Sequence, residues 1–127
     1  MNLLLDSQVL LWIGAGERGR LPLALRSVLE DARTRTFMSA ASFWELAIKR
    51  RLGKLDLNIS LLDLAAVLAA GVSHLPVSHR HATAVLEHPP VHKDPFDCLL
   101  LAQCQVEDFR LVTFDAVLAA HPLALKY

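Results

Sequence analysis

Short apolar runs alternate along the chain with longer segments in which apolar residues recur at helical spacing. Three leucines, Leu3 to Leu5, end at Asp6 and lead into an apolar stretch around Trp12, which indicates a buried strand followed by a helix. The pattern predicts strands at 2–5, 36–38, 74–77, 110–114 and 123–126. It predicts helices at 9–13, 22–31, 40–52, 61–70 and 78–87, one that starts at 94, and a short one after Asp115.

This alternation of strands and helices predicts the fold class. Parallel strands need a crossover connection, which is usually a helix, so the order of elements favours an α/β fold around a parallel sheet. The 127 residues fit one domain, 1–127, and 54% of them are apolar, which is enough for a packed core.

Composition and charge narrow the class of protein. The formal net charge is zero, so a polyanion such as RNA would have to be held by a local patch. The two cysteines, Cys98 and Cys104, lie six residues apart in an apolar segment, which is typical of reduced thiols in a cytosolic protein. No apolar run approaches the roughly 20 residues that span a bilayer. We therefore expect a soluble, cytoplasmic protein with no membrane partner.

Two aspartates directly follow predicted strands: Asp6 after the first, and Asp115 after Leu111 to Phe114. Parallel strands end at the same edge of a sheet, and open α/β sheets bind ligands outside that edge. Either aspartate could instead cap the helix that follows it, where its charge faces the positive end of the helix dipole. For each residue taken alone, the cap is the simpler interpretation.

A third acid, Glu45, lies inside the predicted helix ASFWELAIKR, among mostly apolar neighbours. A carboxylate seldom enters such surroundings without a partner. An ion pair with Lys49, four residues on, is the structural alternative.

The segment HKDPFDCLLLAQ, residues 92–103, places two more acids at the start of a leucine-rich helix. Asp94 suits the N-cap, Pro95 the first helical position, and Asp97 the third. Capping does not exclude metal binding, because the first turn of such a helix also points toward the edge of the sheet. His92 is close to these acids in sequence and is a weaker candidate for substrate contact.

If three to five carboxylates meet within about 5 Å, each pair repels by roughly 3 kcal/mol at an effective dielectric constant near 20. Such a cluster must hold extra protons or bind a cation. Carboxylate oxygens are hard ligands that suit Mg²⁺ or Mn²⁺. A metal-bound water could then attack a phosphodiester without a histidine or lysine as base.

The densest positive segment is Lys49-Arg50-Arg51, with Lys54 close behind. It could hold RNA phosphates beside Glu45, which would make binding sensitive to salt. The alternative is that these cations complement the dipole at the end of their helix, and this explains the run without any ligand.

The chain resembles a PIN-domain ribonuclease, and within that family the VapC-type toxins of bacterial toxin–antitoxin pairs. Four phrases carry the resemblance by their order and spacing, namely LLLDSQVLLW, SAASFWELAIKRRLGKLDL, HKDPFDCLLLAQ and LVTFD. The resemblance extends over nearly the whole chain. It implies a three-layer α/β/α sandwich around a short parallel sheet, with acids that bind Mg²⁺ or Mn²⁺ and cut RNA.

The resemblance also implies roles for single residues and for partners. The catalytic acids would be Asp6, Glu45, Asp97 and Asp115. The metal ligands would be Asp6, Asp97, Asp94 and Asp115. Ser7 matches the small hydroxyl residue that follows the first aspartate in the family, and Lys49 and Arg50 are the other candidates for substrate binding. A cognate antitoxin protein, an RNA substrate and a second copy of the chain are the implied partners.

Three positions depart from the family pattern. Gln8 stands where the family often has a histidine, and Cys98 where it often has a basic residue. Phe114 stands at a position that is often polar. The changes at Gln8 and Cys98 motivate an alternative, a degenerate PIN-like module that binds RNA or protein without cleaving. A phosphatase with Asp6 as nucleophile is a further alternative, but Gln8 stands where such enzymes carry a second aspartate.

Overall fold

A sheet of four parallel strands forms the centre of the protein in a computed structural model that describes residues 1–89 and 94–127. The strands are β1 (Asn2–Leu5), β2 (Arg35–Ser39), β3 (Ser73–Leu75) and β4 (Arg110–Val112). Their order in the sheet is β3-β2-β1-β4, so the first strand is central. Leu5 at the end of β1 is level with Met38 of β2 and Val112 of β4, which aligns the carboxyl ends of the three strands.

Helices connect the strands. They are α1 (Ser7–Gly14), α2 (Leu23–Glu30), α3 (Ala40–Arg51), α4 (Leu61–Leu68), α5 (His79–Ala84), α6 (Pro95–Glu107) and α7 (Ala116–Ala119). Two short 3-10 helices, Arg18–Arg20 and Val85–Glu87, complete the described elements. No helix in these described parts of the chain is long and apolar enough to cross a bilayer.

The central strand is buried on both faces, since Leu3, Leu4 and Leu5 are all fully inaccessible to solvent. Successive side chains of a strand point to opposite faces of the sheet. Leu3 and Leu5 accordingly join a core cluster with residues of α1, α2, α3 and α4, while Leu4 joins a second cluster, chiefly with residues of α6 and α7. Helices therefore cover both faces, and the expected three-layer α/β/α sandwich is confirmed.

The predicted helices and the first four strands are all present, with ends that shift by a few residues. The last predicted strand, 123–126, is wrong as a regular strand, because it contributes only a single parallel bridge between Ala124 and Leu111. A turn uses its amides: the Leu123 amide donates to His121 Nδ1 and the Ala124 amide to the His121 carbonyl. The Leu125 amide still donates to the Leu111 carbonyl, but the two amides before it are not available to a ladder.

Candidate active site

The carboxyl ends of β1 and β4 carry two of the predicted acids. The Asp6 amide donates to the Val112 carbonyl at 3.1 Å, which ties the end of β1 to the end of β4. The Asp6 side chain accepts from the Val9 amide at 3.2 Å and caps α1. The side chain of Asp115 likewise caps α7, accepting from the amides of Val117 and Leu118 at 3.0 Å each. The capping interpretation is correct for both residues, and it leaves both at one edge of the sheet.

The start of α6 brings two more acids to this edge. Asp94 is the N-cap and accepts from the Phe96 amide at 2.9 Å, Pro95 opens the helix, and Asp97 lies in its first turn. The predicted cap arrangement is therefore confirmed. His92 lies outside the described residues.

Glu45 is buried on α3, with 7% of its surface exposed. Ser7 Oγ donates a hydrogen bond of 2.7 Å to Glu45 Oε1, and Lys49 Nζ lies 3.6 Å from Oε2. The two interactions hold the carboxylate from both sides. The predicted ion pair with Lys49 thus forms, but at a buried acid rather than on an exposed helix face.

One cleft of about 430 Å³ collects these acids. It is lined by Asp6, Ser7, Gln8, Trp12, Glu45, Lys49, Asp94, Asp97, Leu100, Phe114, Asp115 and Leu118. The five acids come from four separate segments of the chain. They meet because the ends of β1 and β4, the start of α6 and the inner face of α3 surround the same space. Arg50 is not among the lining residues, since its guanidinium donates to the carbonyls of Ile59 at 2.8 Å and Leu57 at 3.4 Å.

Burial and the negative charges of neighbouring acids raise the pKa values of two carboxyls in the cleft. Burial, followed by the negative charges of Asp94, Glu45, Asp115 and Asp6, raises the pKa of Asp97 to about 7. Burial is also the main cause that raises the pKa of Asp6, against hydrogen bonds from Thr113, Val9 and Gln8 that favour its carboxylate. Without a counter-ion, the cleft therefore holds protons near neutral pH.

This pKa predicts how stability depends on pH in the absence of divalent ions. Asp97 has a higher pKa in the folded protein than its ordinary value of 3.8, so the folded state binds more protons than the unfolded state between these values. The contribution of Asp97 to stability should be fully present below pH ~4 and lost as the pH rises to about 7. Urea unfolding with a chelator should show this decline, and the Asp97→Asn protein should show a smaller one. An equal decline in both proteins would contradict the assignment.

The donors fit a divalent cation by chemistry, although they are not yet arranged around one. Within residues 1–89 and 94–127, no three histidine, cysteine, aspartate or glutamate side chains form a ready group of metal ligands. Asp6, Asp94 and Asp115 are turned toward the amides that they cap. Among the described residues, the cleft nevertheless offers the hard oxygen donors of five acids that repel one another, and Mg²⁺ and Mn²⁺ prefer such oxygen ligands.

Sequence reasoning missed three contributors to the cleft. Thr113 is buried, its side chain hydrogen-bonds that of Asp6, and its hydroxyl accepts from the Asp115 amide at 3.1 Å. Its position two residues before Asp115, at a strand end, was the available signal. Trp12 and Phe114 also line the cleft, although the sequence indicated core packing for the helix that contains Trp12 and marked Phe114 only as a departure from the family pattern.

The fold and the site together define an α/β/α sandwich with an acidic cleft at the carboxyl edge of a parallel sheet. The chain belongs to the PIN domain family, whose model matches residues 3–122. No curated protein matches the chain.

Two solved structures share the fold. A toxin–antitoxin complex from Klebsiella pneumoniae contains a chain with a TM-score of 0.65 and 16% identity, with 98% of this chain and 96% of that chain covered. The crystal structure of VapBC2 from Rickettsia felis, bound to a DNA fragment from its promoter, contains one with a TM-score of 0.68 and 11% identity at the same coverage. At these identities, the similarity establishes the fold.

Proposed function

We propose that the protein is a metal-dependent endoribonuclease that hydrolyses RNA phosphodiester bonds and acts as the toxin of a toxin–antitoxin pair. The observation that carries the proposal is the convergence of Asp6, Glu45, Asp94, Asp97 and Asp115 on one cleft. Membership of the PIN domain family supports a nuclease, and the two neighbours of known structure, both toxin–antitoxin complexes, support the toxin role.

In this proposal, Asp6, Asp94, Asp97 and Asp115 hold Mg²⁺ or Mn²⁺ after rotating from their capping positions. The bound ion would supply an acidified water and neutralise charge on the phosphoryl oxygens. The rigid strand and helix ends limit how far the carboxylates must move, which keeps the cost of assembling the site small.

The remaining polar groups of the cleft have their own tasks in the proposal. Glu45, held by the Ser7 hydroxyl and Lys49, forms part of the inner wall of the cleft. Lys49 is half-exposed and can bind a phosphate of the RNA from its position beside Glu45. Arg50 is committed to the carbonyls of the 54–60 loop, so Lys49 is the stronger candidate for substrate binding.

Surface features support protein partners. On α4, Leu62 is 84% and Val67 55% exposed, so this helix presents apolar side chains that a partner could cover. A cognate antitoxin and a second copy of this chain are the partners we propose for such surfaces. Cys98 and Cys104 are buried free thiols, which fits a protein that meets its RNA in the reducing cytoplasm.

An RNA cleavage assay tests the proposal. The purified protein should cleave RNA with Mg²⁺ or Mn²⁺, stop when EDTA is in excess, and resume when the ion is restored. Expression in a bacterial host should slow growth. The Asp6→Asn protein should neither cleave RNA nor slow growth. Cleavage that persists in excess EDTA would reject the metal, whereas RNA binding without cleavage under all these conditions would favour the degenerate module.

A further inference from the structure

One wall of the acidic cleft is aromatic. Trp12 from α1 and Phe114, which follows β4, both line the cleft, and their ring centroids are 4.9 Å apart at an interplanar angle of 43°. Both side chains are partly exposed, and both also pack against the core cluster beneath them. The wall is therefore held in place by the core while it presents ring surface to the cleft.

Phe114 lies in the sequence between two residues of the acid site. It lies between Thr113, which hydrogen-bonds Asp6, and Asp115, so its backbone is fixed by the acid site on both sides. A phenylalanine that served only the core would not need to stand beside carboxylates, which gain nothing from an apolar neighbour.

One ring of the aromatic wall is in contact with a cation. The guanidinium carbon of Arg20 lies 5.6 Å from the centre of the Trp12 ring, within the range of a cation–π interaction. Arg20 also forms an ion pair of 3.1 Å with Glu17. The cleft thus offers carboxylates next to a neutral aromatic surface, and the positive charge of Arg20 lies against one ring of that surface.

The acids and the aromatic rings suit different parts of a nucleotide. Carboxylates repel a phosphate unless a cation lies between them, whereas a nucleobase is planar and stacks on aromatic side chains. We propose, on the basis of the proposed function, that the base of a nucleotide next to the cleaved phosphate stacks on Phe114, which Trp12 supports. Phe114 is then a determinant of which base the nuclease accepts at that position.

The protein contains a matched control for this proposal. Phe37 and Phe109 form a second aromatic pair, with ring centroids 4.5 Å apart, but they pack in the other core cluster and do not line the cleft. Phe37→Leu and Phe114→Leu therefore remove the same ring and the same kind of aromatic contact. They differ in whether that ring faces the acids.

The test measures binding of a short, fluorescein-labelled single-stranded RNA and of its single abasic variants by anisotropy. Asp97→Asn is present in every protein, because asparagine keeps the shape of the site, blocks cleavage and removes a charge that repels phosphate. Phe114→Leu should weaken RNA binding about 5- to 150-fold, the range for one stacked base, while Phe114→Tyr and Phe37→Leu should stay within about threefold. One of the abasic RNAs should bind the parent more weakly than the intact RNA does, whereas Phe114→Leu should bind both RNAs equally well.

A second readout uses the two tryptophans of the chain. In a protein with Trp44→Phe, Trp12 is the remaining tryptophan. Its emission should be quenched by the intact RNA but not by the abasic RNA that binds the parent more weakly. Equal losses in Phe114→Leu and Phe37→Leu, or no coupling to any abasic position, would overturn the stacking role and leave the nuclease standing. If the protein with its native Asp97 neither bound nor cleaved any RNA, both proposals would be overturned.

Discussion

The Asp97→Asn protein should be folded and should cleave RNA about 10³-fold more slowly than the parent. The negative charges of all four other acids raise the pKa of Asp97, so this carboxyl lies close to each of them. A carboxylate at that point contributes most to holding a cation. A metal that stabilises charge in the transition state contributes several kcal/mol, and each 1.36 kcal/mol corresponds to a factor of ten in rate. The measurement is the cleavage rate at saturating Mg²⁺ or Mn²⁺.

A second aspartate provides the control. Asp63 occupies the same position in α4 that Asp97 occupies in α6, three residues after the N-cap, and it does not line the cleft. Both substitutions to asparagine remove a charge that favours a helix N-terminus, which is worth about 0.3–1 kcal/mol. Asp63→Asn should cleave RNA at the parental rate. If Asp97→Asn cleaved within a few-fold of Asp63→Asn, Asp97 would not belong to the catalytic machinery.

Much of the fold was predictable because local pattern and tertiary environment agree. The three leucines of β1 form a continuous apolar run, and such a run is what a strand buried on both faces requires. The helix starts were also encoded locally, since Asp94 and Pro95 occupy the positions that a cap and a first turn favour. The parallel sheet then follows from the helical crossovers.

The acids of the site were predictable for a related reason. Acids at strand ends and helix starts are visible in a sequence, and a parallel sheet places strand ends at one edge. Glu45 was visible through its apolar neighbours, which do indeed surround a buried carboxylate. Capping and metal binding use the same residues, so the sequence alone left the choice open, and the shared cleft is what favours the second role.

Other features depend on distant contacts that no local pattern carries. The pairing of Asp6 with Thr113 joins the first and last strands across more than a hundred residues. Arg50 belongs to a basic run that suggested RNA binding, yet it turns to the carbonyls of a neighbouring loop. The bridge at Ala124 replaces a full strand because the preceding turn uses the amides. Trp12 and Phe114 are apolar residues that pack against the core and also line the cleft.

Binding of Mg²⁺ should stabilise the protein and release protons. The ion removes the repulsion among the five acids, so it binds the folded state in preference to the unfolded one. At a concentration one hundred times the dissociation constant, it should add about 2.7 kcal/mol to the free energy of unfolding. Because the pKa of Asp97 is about 7 without the ion, binding must also displace the proton that this carboxyl holds in part of the molecules.

The release should depend on pH in a defined way. Near pH 6 most Asp97 side chains are protonated, so up to about one proton should leave for each ion bound. Near pH 8.5 the carboxyl is already ionised, and the release from this residue should approach zero. The Asp97→Asn protein should bind the ion more weakly and lose this dependence, while Asp63→Asn should behave as the parent does.

Calorimetric titration of Mg²⁺ into the metal-free protein, at both pH values and in two buffers with different ionisation heats, tests most directly whether Asp6, Asp94, Asp97 and Asp115 form a cation site. We predict saturable binding in the parent, with a proton release that falls from pH 6 to pH 8.5 and depends on Asp97. A titration with no saturable heat, together with an unchanged free energy of unfolding in Mg²⁺ and in Mn²⁺, would contradict the proposed metal site.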